Sequence, residues 1–213
     1  MARLITFEGV DGCGKSTQLS RLAKRWRARG LPLLTTREPG GTPLGERLRE
    51  LVLRDSENPP APEAELALMC ASRAQHVAEV IRPALDRGDW VLCDRFHDAT
   101  EAYQGGGRGL DRVQIRALHR LLCQGLPPDR TVILELDVAT SLERARRRLA
   151  GGSGEGRFEG LGTPFFERVA QAYREIAERE PGRCRRIDGG GEIAVVAERI
   201  RAALADLIPQ ATH

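Results

Sequence analysis

A chain of 213 residues with 41% apolar side chains is long enough for one α/β domain with its own core. It shows no apolar run long enough to span a bilayer and no secretion signal near its first residues, so we expect a cytoplasmic protein without membrane contact. The 30 acidic residues nearly balance the 33 basic ones, which argues against a nucleic-acid-binding surface. The 5 cysteines include no C-x-x-C pair, so neither a zinc site nor a disulfide framework is indicated.

The first informative pattern is a phosphate-binding loop between a predicted strand, residues 4–7, and a predicted helix, residues 15–30. Residues 9–16 match G-x-x-x-x-G-K-[ST], in which glycines let backbone N–H groups turn towards phosphate and the helix adds the positive end of its dipole. In this pattern Lys15 reaches the outer phosphates of a nucleoside triphosphate and Ser16 binds Mg²⁺. An ordinary glycine turn is the alternative. We assign nucleotide binding to Gly9, Val10, Asp11, Gly12, Cys13, Gly14, Lys15, Ser16 and Thr17.

The rest of the chain alternates predicted strands and helices. Strands are expected at residues 31–35, 90–93 and 131–136, and helices at residues 44–53, 63–85, 164–180 and 192–207. Such alternation is typical of a parallel sheet covered by helices. A glycine-rich stretch at residues 151–156, flanked by arginines, is predicted to be a mobile basic flap.

Three polar clusters follow apolar strands of this predicted sheet: residues 11–16, residues 37–42, and the pair Asp94 and Arg95. Parallel sheets bind ligands beyond the carboxyl ends of their strands, so we expect the three clusters to converge on one site. Asp94 could be a helix cap, or an acid that orders the water around a metal or fixes Arg95.

Four segments together resemble the thymidylate kinase family. They are residues 8–16, Arg-Glu-Pro-Gly-Gly-Thr at 37–42, Asp-Arg-Phe at 94–96, and Ala-Tyr-Gln-Gly-Gly-Gly-Arg-Gly at 102–109. The phosphate loop alone occurs in many NTPases, whereas this combination at these spacings is specific. The resemblance runs nearly end to end and implies a P-loop NTPase fold of the α/β class. We therefore expect a parallel five-stranded sheet flanked by helices, in a single domain over residues 1–213 with a mobile lid at about residues 144–160.

The activity implied by this resemblance is that of a dTMP kinase, which forms dTDP and ADP from dTMP and Mg·ATP by in-line transfer, in dTTP biosynthesis. Mg²⁺ is the implied cofactor and ATP the phosphoryl donor. Asp11 would lie between the two nucleotides, Arg37 and Arg95 on the dTMP phosphate, and Tyr103 under the deoxyribose, where its bulk disfavours a 2′-hydroxyl. Arg73 would face the thymine. The implied acceptor-binding residues are Asp11, Arg37, Met69, Arg73, Arg95, Thr100, Tyr103 and Gln104, and the implied metal-binding residues are Ser16 and Asp94.

In this family an arginine for the transfer lies either in the phosphate loop or in the lid, and Lys15 is the only cation of this loop, so the resemblance implies that the lid supplies the arginine. The candidate lid arginines are Arg144, Arg146, Arg148 and Arg157. The catalytic residues that we predict are Lys15, Asp11, Arg95, Arg148 and Arg157.

Two departures from the family pattern keep alternative functions open. Met69 stands where relatives commonly have a phenylalanine that stacks on thymine. One alternative is therefore a kinase that acts on another nucleoside monophosphate or on a nucleoside. Gly156 stands where relatives commonly have aspartate, and the lid looks lengthened. A second alternative is therefore a catalytically inactive nucleotide-binding regulatory protein.

Simpler interpretations exist for several of these residues taken alone. Arg37 with Glu38 could be a solvated loop pair, Arg73 a solvent-facing side chain, and Tyr103 with Gln104 part of a turn. The resemblance also implies a homodimer, to which the predicted helix 63–85 could contribute.

Overall fold

A computed structural model describes residues 2–54, 57–151 and 156–207. Within these ranges one sheet contains β1 (Leu4–Glu8), β2 (Leu33–Arg37), β3 (Trp90–Asp94), β4 (Arg130–Glu135) and β5 (Cys184–Asp188). The strand order is β2-β3-β1-β4-β5, and each neighbouring pair is parallel. The predicted parallel five-stranded sheet is therefore confirmed.

Helices connect the strands and cover the sheet. They are α1 (Lys15–Arg27), α2 (Pro43–Leu53), α3 (Pro62–His76), α4 (Arg82–Asp86), α5 (His97–Thr100), α6 (Arg112–Leu122), α7 (Val138–Ala150), α8 (Thr163–Arg179) and α9 (Ile193–Ala203). Two π-helical segments, Val77–Ile81 and Glu101–Gly107, continue α3 and α5. None of the helices in the described part of the chain is long and apolar enough to cross a membrane.

The core lies on both faces of the sheet, so the central strands β1, β3 and β4 are almost entirely buried. Successive residues of a strand point to opposite faces, so Ile5 and Phe7 of β1 join the larger apolar cluster and Leu4 joins a smaller one. Trp26 of α1 packs edge-on against Trp90 of β3 with ring centroids 5.3 Å apart. Both tryptophans are buried.

Three elements differ from the sequence prediction. β2 extends to Arg37, so this arginine ends a strand and does not open the following loop. The predicted helix 63–85 is helical throughout, but its middle part, Val77–Ile81, is π-helical. β5 carries Arg185 and Arg186 and lies at the edge of the sheet, so no run of apolar residues marks it as a strand.

Strand register brings the carboxyl ends of the central strands to one edge of the sheet. Phe7 of β1 and Arg37 of β2 both pair with Asp94 of β3. The chain segments that leave β1, β2 and β3 therefore start side by side, at the edge where parallel sheets bind their ligands.

Candidate active site

A cavity of about 490 Å³ opens at this carboxyl edge. The phosphate loop, the segment after β2 and the end of β3 line it, together with residues of α3, α7 and the π-helical segment Glu101–Gly107. The three polar clusters that the sequence predicts to converge do meet here.

The phosphate loop owes its shape to glycine. Gly9, Gly12 and Gly14 have φ angles of 135°, 83° and 102°, where residues with side chains are strained. A Cβ atom on Gly12 would lie 1.9 Å from the carbonyl oxygen of Ser141, so a larger residue cannot fit without moving the backbone. Gly14 precedes α1 without a side chain to cap it, which leaves the N–H groups of the first turn available to an anion.

Lys15 begins α1, and its ammonium group lies over the loop. The Nζ atom donates hydrogen bonds to the carbonyl oxygens of Gly9, at 3.0 Å, and Val10, at 2.9 Å. The side chain is buried and still contributes to the cavity lining. A positive charge is therefore held where the loop can bind phosphate.

Ser16 and Asp94 meet beside Lys15. The Ser16 hydroxyl donates a hydrogen bond to the carboxylate of Asp94, which ends β3, and both residues line the cavity. Hydroxyl and carboxylate oxygens are ligands that Mg²⁺ prefers, so this donor set fits the metal role predicted for the pair.

Arg95 is fixed in the cavity wall by side chains from three parts of the chain. Its Nη2 atom donates to Asp11 Oδ1 at 2.6 Å and to the Tyr103 hydroxyl at 2.9 Å. Its Nη1 atom donates to the Gly9 carbonyl oxygen at 3.1 Å and to the Tyr173 hydroxyl at 3.2 Å. The backbone φ of Arg95 is 70°, a conformation that is rare outside glycine and concentrates at functional sites.

The electrostatics of this cluster favour charged side chains. Burial opposes ionisation of Asp11, but the charges of Arg95 and Lys15 outweigh it and hold the pKa of Asp11 well below its usual value. Burial likewise opposes the charge of Arg95, but Asp11 together with Tyr103, Tyr173 and Glu8 outweighs it and raises the pKa of Arg95. Asp11 and Arg95 therefore form an ion pair at neutral pH, which leaves the guanidinium group charged and oriented.

Behind Arg95 lies Glu8, a completely buried residue at the end of β1 that no sequence pattern assigns a role of its own. Its carboxylate accepts a hydrogen bond from the N–H of Phe96 at 2.7 Å and from the Tyr173 hydroxyl at 2.8 Å. The same hydroxyl accepts from Arg95, so Glu8 supports this arginine through both its backbone neighbour and its side chain. Burial, reinforced by the negative charge of Asp98, raises the pKa of Glu8 from 4.5 to about 8.

This raised pKa predicts a measurable pH dependence of stability. Between pH 4.5 and about 8 the folded protein keeps a proton on Glu8 that the unfolded chain has lost, so the contribution of Glu8 to the free energy of unfolding falls as the pH rises. A Glu8→Gln variant cannot ionise here and retains an acceptor for the Phe96 N–H group. We expect urea unfolding to show wild type losing about 1 kcal/mol or more relative to the variant between pH 5 and about 8.5. Parallel stability curves for the two proteins would contradict the expectation.

The residues predicted to contact the acceptor nucleoside lie either on the cavity wall or one contact behind it. The ones that line the cavity are Met69, Tyr103 and Gln104. Arg73 lies one contact behind the lining and is 2% exposed; its Nε donates to Glu38 at 2.7 Å and its Nη2 to the Thr100 hydroxyl at 2.8 Å. The solvent-facing alternative for Arg73 is therefore wrong. Glu38 itself contributes to the cavity surface.

Arg37 also lines the cavity, with 56% of its side chain exposed. Its Nη2 atom lies 2.9 Å from a carboxylate oxygen of Glu46 on α2. The neighbouring Glu38 is buried against Arg73, so the simple loop pair of Arg37 with Glu38 does not form.

The predicted lid arginines lie in different surroundings. Arg144, Arg146 and Arg148 of α7 are all exposed, and of these Arg144 and Arg148 line the cavity. Arg157 is buried in an ion pair. Part of the predicted lid, residues 152–155, falls outside the described ranges, so its mobility stays a prediction.

Two cavity-lining residues carry no signal in the sequence. Phe158 lies within the predicted lid, and Arg49 lies on α2 among other charged residues, with its Nη1 atom 2.9 Å from the carbonyl oxygen of Pro39. Neither residue belongs to a spaced motif, so only packing shows that they reach the site.

Comparison with known proteins gives a consistent family. A family model described as thymidylate kinase matches residues 7–200. The thymidylate kinase of Pseudomonas syringae pv. syringae is 50% identical over 97% of this chain and 94% of its own length. The thymidylate kinase of Pelobacter propionicus is 46% identical over 95% of this chain and 93% of its own length. Among solved structures, the thymidylate kinase of Ehrlichia chaffeensis matches with a TM-score of 0.75 and 32% identity, covering 95% of this chain and 98% of that one. These matches confirm the family that the four sequence segments predict, and the chain belongs to the thymidylate kinase family.

Proposed function

We propose that this protein transfers the terminal phosphoryl group of ATP to dTMP and so forms ADP and dTDP. The observation that carries this proposal is a single cavity with the phosphate loop on one wall and the Arg95, Asp11 and Tyr103 cluster on another. Two phosphate-binding groups thus face one space, as direct transfer between two nucleotides requires. Family membership supports dTMP as the acceptor.

On the donor side, the backbone N–H groups of the phosphate loop and the start of α1 bind the triphosphate of ATP. Lys15 supplies positive charge for a loose transition state in which positioning and charge matter more than covalent chemistry. Ser16 and Asp94 hold Mg²⁺, and this ion, when bound, neutralises charge on the phosphates.

On the acceptor side, Arg95 and Arg37 bind the dTMP phosphate, since guanidinium groups donate charge-assisted hydrogen bonds to phosphate oxygens. Asp11 keeps the Arg95 fork in place, and Tyr103 packs under the deoxyribose. Arg148 of α7 supplies further charge to the transferred group from the lid side of the cavity.

The base lies against Met69 and Gln104. Arg73 and Thr100 act from one contact behind the cavity, through their hydrogen bond to each other and the bond of Arg73 to Glu38. A methionine contact is softer than an aromatic stack, so selectivity among bases is the part of this proposal that most needs measurement.

The test is ADP release from Mg·ATP with dTMP, dUMP, dGMP or thymidine as acceptor. We expect dTMP to be turned over preferentially. Preference for another acceptor would support the alternative kinase that Met69 leaves open. Tight ATP binding without single-turnover transfer to any acceptor would support the nucleotide-binding regulator.

We also propose a cytoplasmic homodimer. Exposed apolar side chains on α6, among them Val113 and Leu121 with 62% and 75% of their surface accessible, lie on a helix that contacts α3 and offer a surface for a second copy. Light scattering should give about twice the chain mass of 23.4 kDa.

A further inference from the structure

Glu65, in the first turn of α3, is completely buried and accepts hydrogen bonds from three side chains of distant segments. We call these four residues the Glu65 cluster: Glu65, Gln104, Arg108 and Arg157. The donor atoms of Gln104, Arg108 and Arg157 lie 2.8 Å, 2.8 Å and 2.7 Å from the Glu65 carboxylate, respectively. One carboxylate thus faces two guanidinium groups, and losing it would leave both buried or part-buried cations without their counter-charge.

Gln104 is oriented by this cluster. Only the amide NH₂ group can donate to a carboxylate, so the bond from Nε2 to Glu65 fixes which way the amide faces. The Oε1 atom remains an acceptor with no partner among the described residues, and Gln104 belongs to the cavity lining. Glu65 therefore decides which hydrogen-bonding group Gln104 has left for a ligand.

Arg157 is fully engaged away from the cavity. Its Nη1 atom donates to the carbonyl oxygen of Val52 at 2.6 Å, its Nη2 atom to Glu65, and its side chain is 7% exposed. Its guanidinium carbon lies 5.4 Å from the centre of the Phe158 ring, which packs edge-on against Tyr103 at 5.6 Å. The arginine therefore packs against Phe158, which in turn packs against Tyr103 on the acceptor side of the cavity.

We propose that Glu65 is a positioning residue for the acceptor nucleotide and that Arg157 is its buried counter-ion, which does not contact the transferred phosphoryl group. This role rests on the proposed function. Glu65 holds Gln104 directly, and through Arg157 it holds Phe158 against Tyr103, so one carboxylate organises the acceptor side of the cavity. Of the two predicted catalytic lid arginines, Arg148 then retains the role in transfer.

Four variants separate positioning from transfer: Glu65→Gln, Arg157→Met, Arg148→Met and, as an exposed arginine control on α7, Arg147→Met. We expect Glu65→Gln to raise the KM for dTMP about tenfold, and Arg157→Met to raise it by a smaller factor, with the KM for ATP and kcat within about twofold. Arg148→Met should instead lower kcat by about a hundredfold or more. Arg147→Met should leave all three constants unchanged.

Loss of folding in Glu65→Gln is addressed by the double variant Glu65→Gln with Arg157→Gln, which removes one negative and one positive charge together. We expect the double variant to regain thermal stability over Glu65→Gln while keeping the raised KM for dTMP. A kcat that falls about a hundredfold in Arg157→Met, with the KM for dTMP unchanged, would overturn the proposal. So would equal changes in the KM for ATP and dTMP in Glu65→Gln. Wild-type turnover of dTMP in the same assay tests the proposed function separately, and its absence would overturn both.

Discussion

Replacing Lys15 by alanine is expected to abolish phosphoryl transfer. The Nζ atom is the only cationic group of the phosphate loop and is held over the loop by the carbonyl oxygens of Gly9 and Val10. Removing a preorganised donor of this kind from an active site costs about a thousandfold in kcat, or about 4 kcal/mol of transition-state stabilisation. Single-turnover measurement of ADP from Mg·ATP and dTMP gives the effect directly, independent of product release.

The matched control is Lys24→Ala, which removes the only other lysine of the sequence from the exposed face of the same helix. We expect this variant to keep wild-type activity. Lys15→Ala should also keep its helical circular dichroism, because the lysine makes its hydrogen bonds to the loop and not to the core. Transfer within about tenfold of wild type in a folded Lys15→Ala protein would refute the role assigned to this side chain.

Replacing Arg95 by alanine is expected to impair the use of dTMP far more than that of ATP. Arg95 contributes a charged guanidinium group oriented by Asp11, Tyr103 and Tyr173, and each charge-assisted hydrogen bond that it makes to a phosphate contributes about 1.5–3 kcal/mol. The Nη hydrogens of Arg95 already meet Gly9, Tyr173, Asp11 and Tyr103, so losing one such bond together with the positive charge should raise the KM for dTMP by about tenfold to a hundredfold. The KM for ATP should change by less than about threefold, because the donor phosphates bind the loop and Lys15. Steady-state kinetics with each substrate varied in turn measures both constants.

Arg95→Lys is the conservative comparison, since lysine keeps the charge on a flexible side chain but not the planar fork. The left-handed backbone at this position strains lysine as it does arginine, so backbone strain does not differ between these two proteins. We expect the KM for dTMP in Arg95→Lys to lie between those of wild type and Arg95→Ala. Equal changes in the KM for ATP and the KM for dTMP in Arg95→Ala would show that Arg95 does not act selectively on dTMP.

Much of the fold could be predicted because its signals are local. The strand before the phosphate loop and the strands 90–93 and 131–136 are marked by apolar runs, and the helix after the loop by apolar residues at helical spacing; the structure contains each of them. β5 could not be predicted this way, because an edge strand is half exposed and this one carries Arg185 and Arg186. Only its pairing with β4 makes it a strand.

The site residues likewise fall into those that a local motif predicts and those that only tertiary contacts bring to the site. Residues 9–16 form one turn of backbone whose glycines and lysine have to be close in sequence, so a spaced motif identifies them. Glu8 and Tyr173 meet at Arg95 from segments far apart in the chain, and neither has a neighbour in sequence that signals the contact. Arg157 follows the same rule, since its sequence surroundings place it among the basic residues of the lid and say nothing of Glu65.

By itself, the sequence determined the phosphate-loop motif and its place at the end of a parallel strand, because both properties depend on short-range spacing and on the periodicity of apolar side chains. Tertiary structure alone decided what each charged side chain does. Arg37, Arg73, Arg95 and Arg157 are chemically identical, yet Arg37 is half exposed beside Glu46, Arg73 and Arg157 are buried on glutamates, and Arg95 lines the cavity on Asp11. A guanidinium group takes its role from the carboxylate that faces it and from its access to water, and both are set by which distant segments pack together.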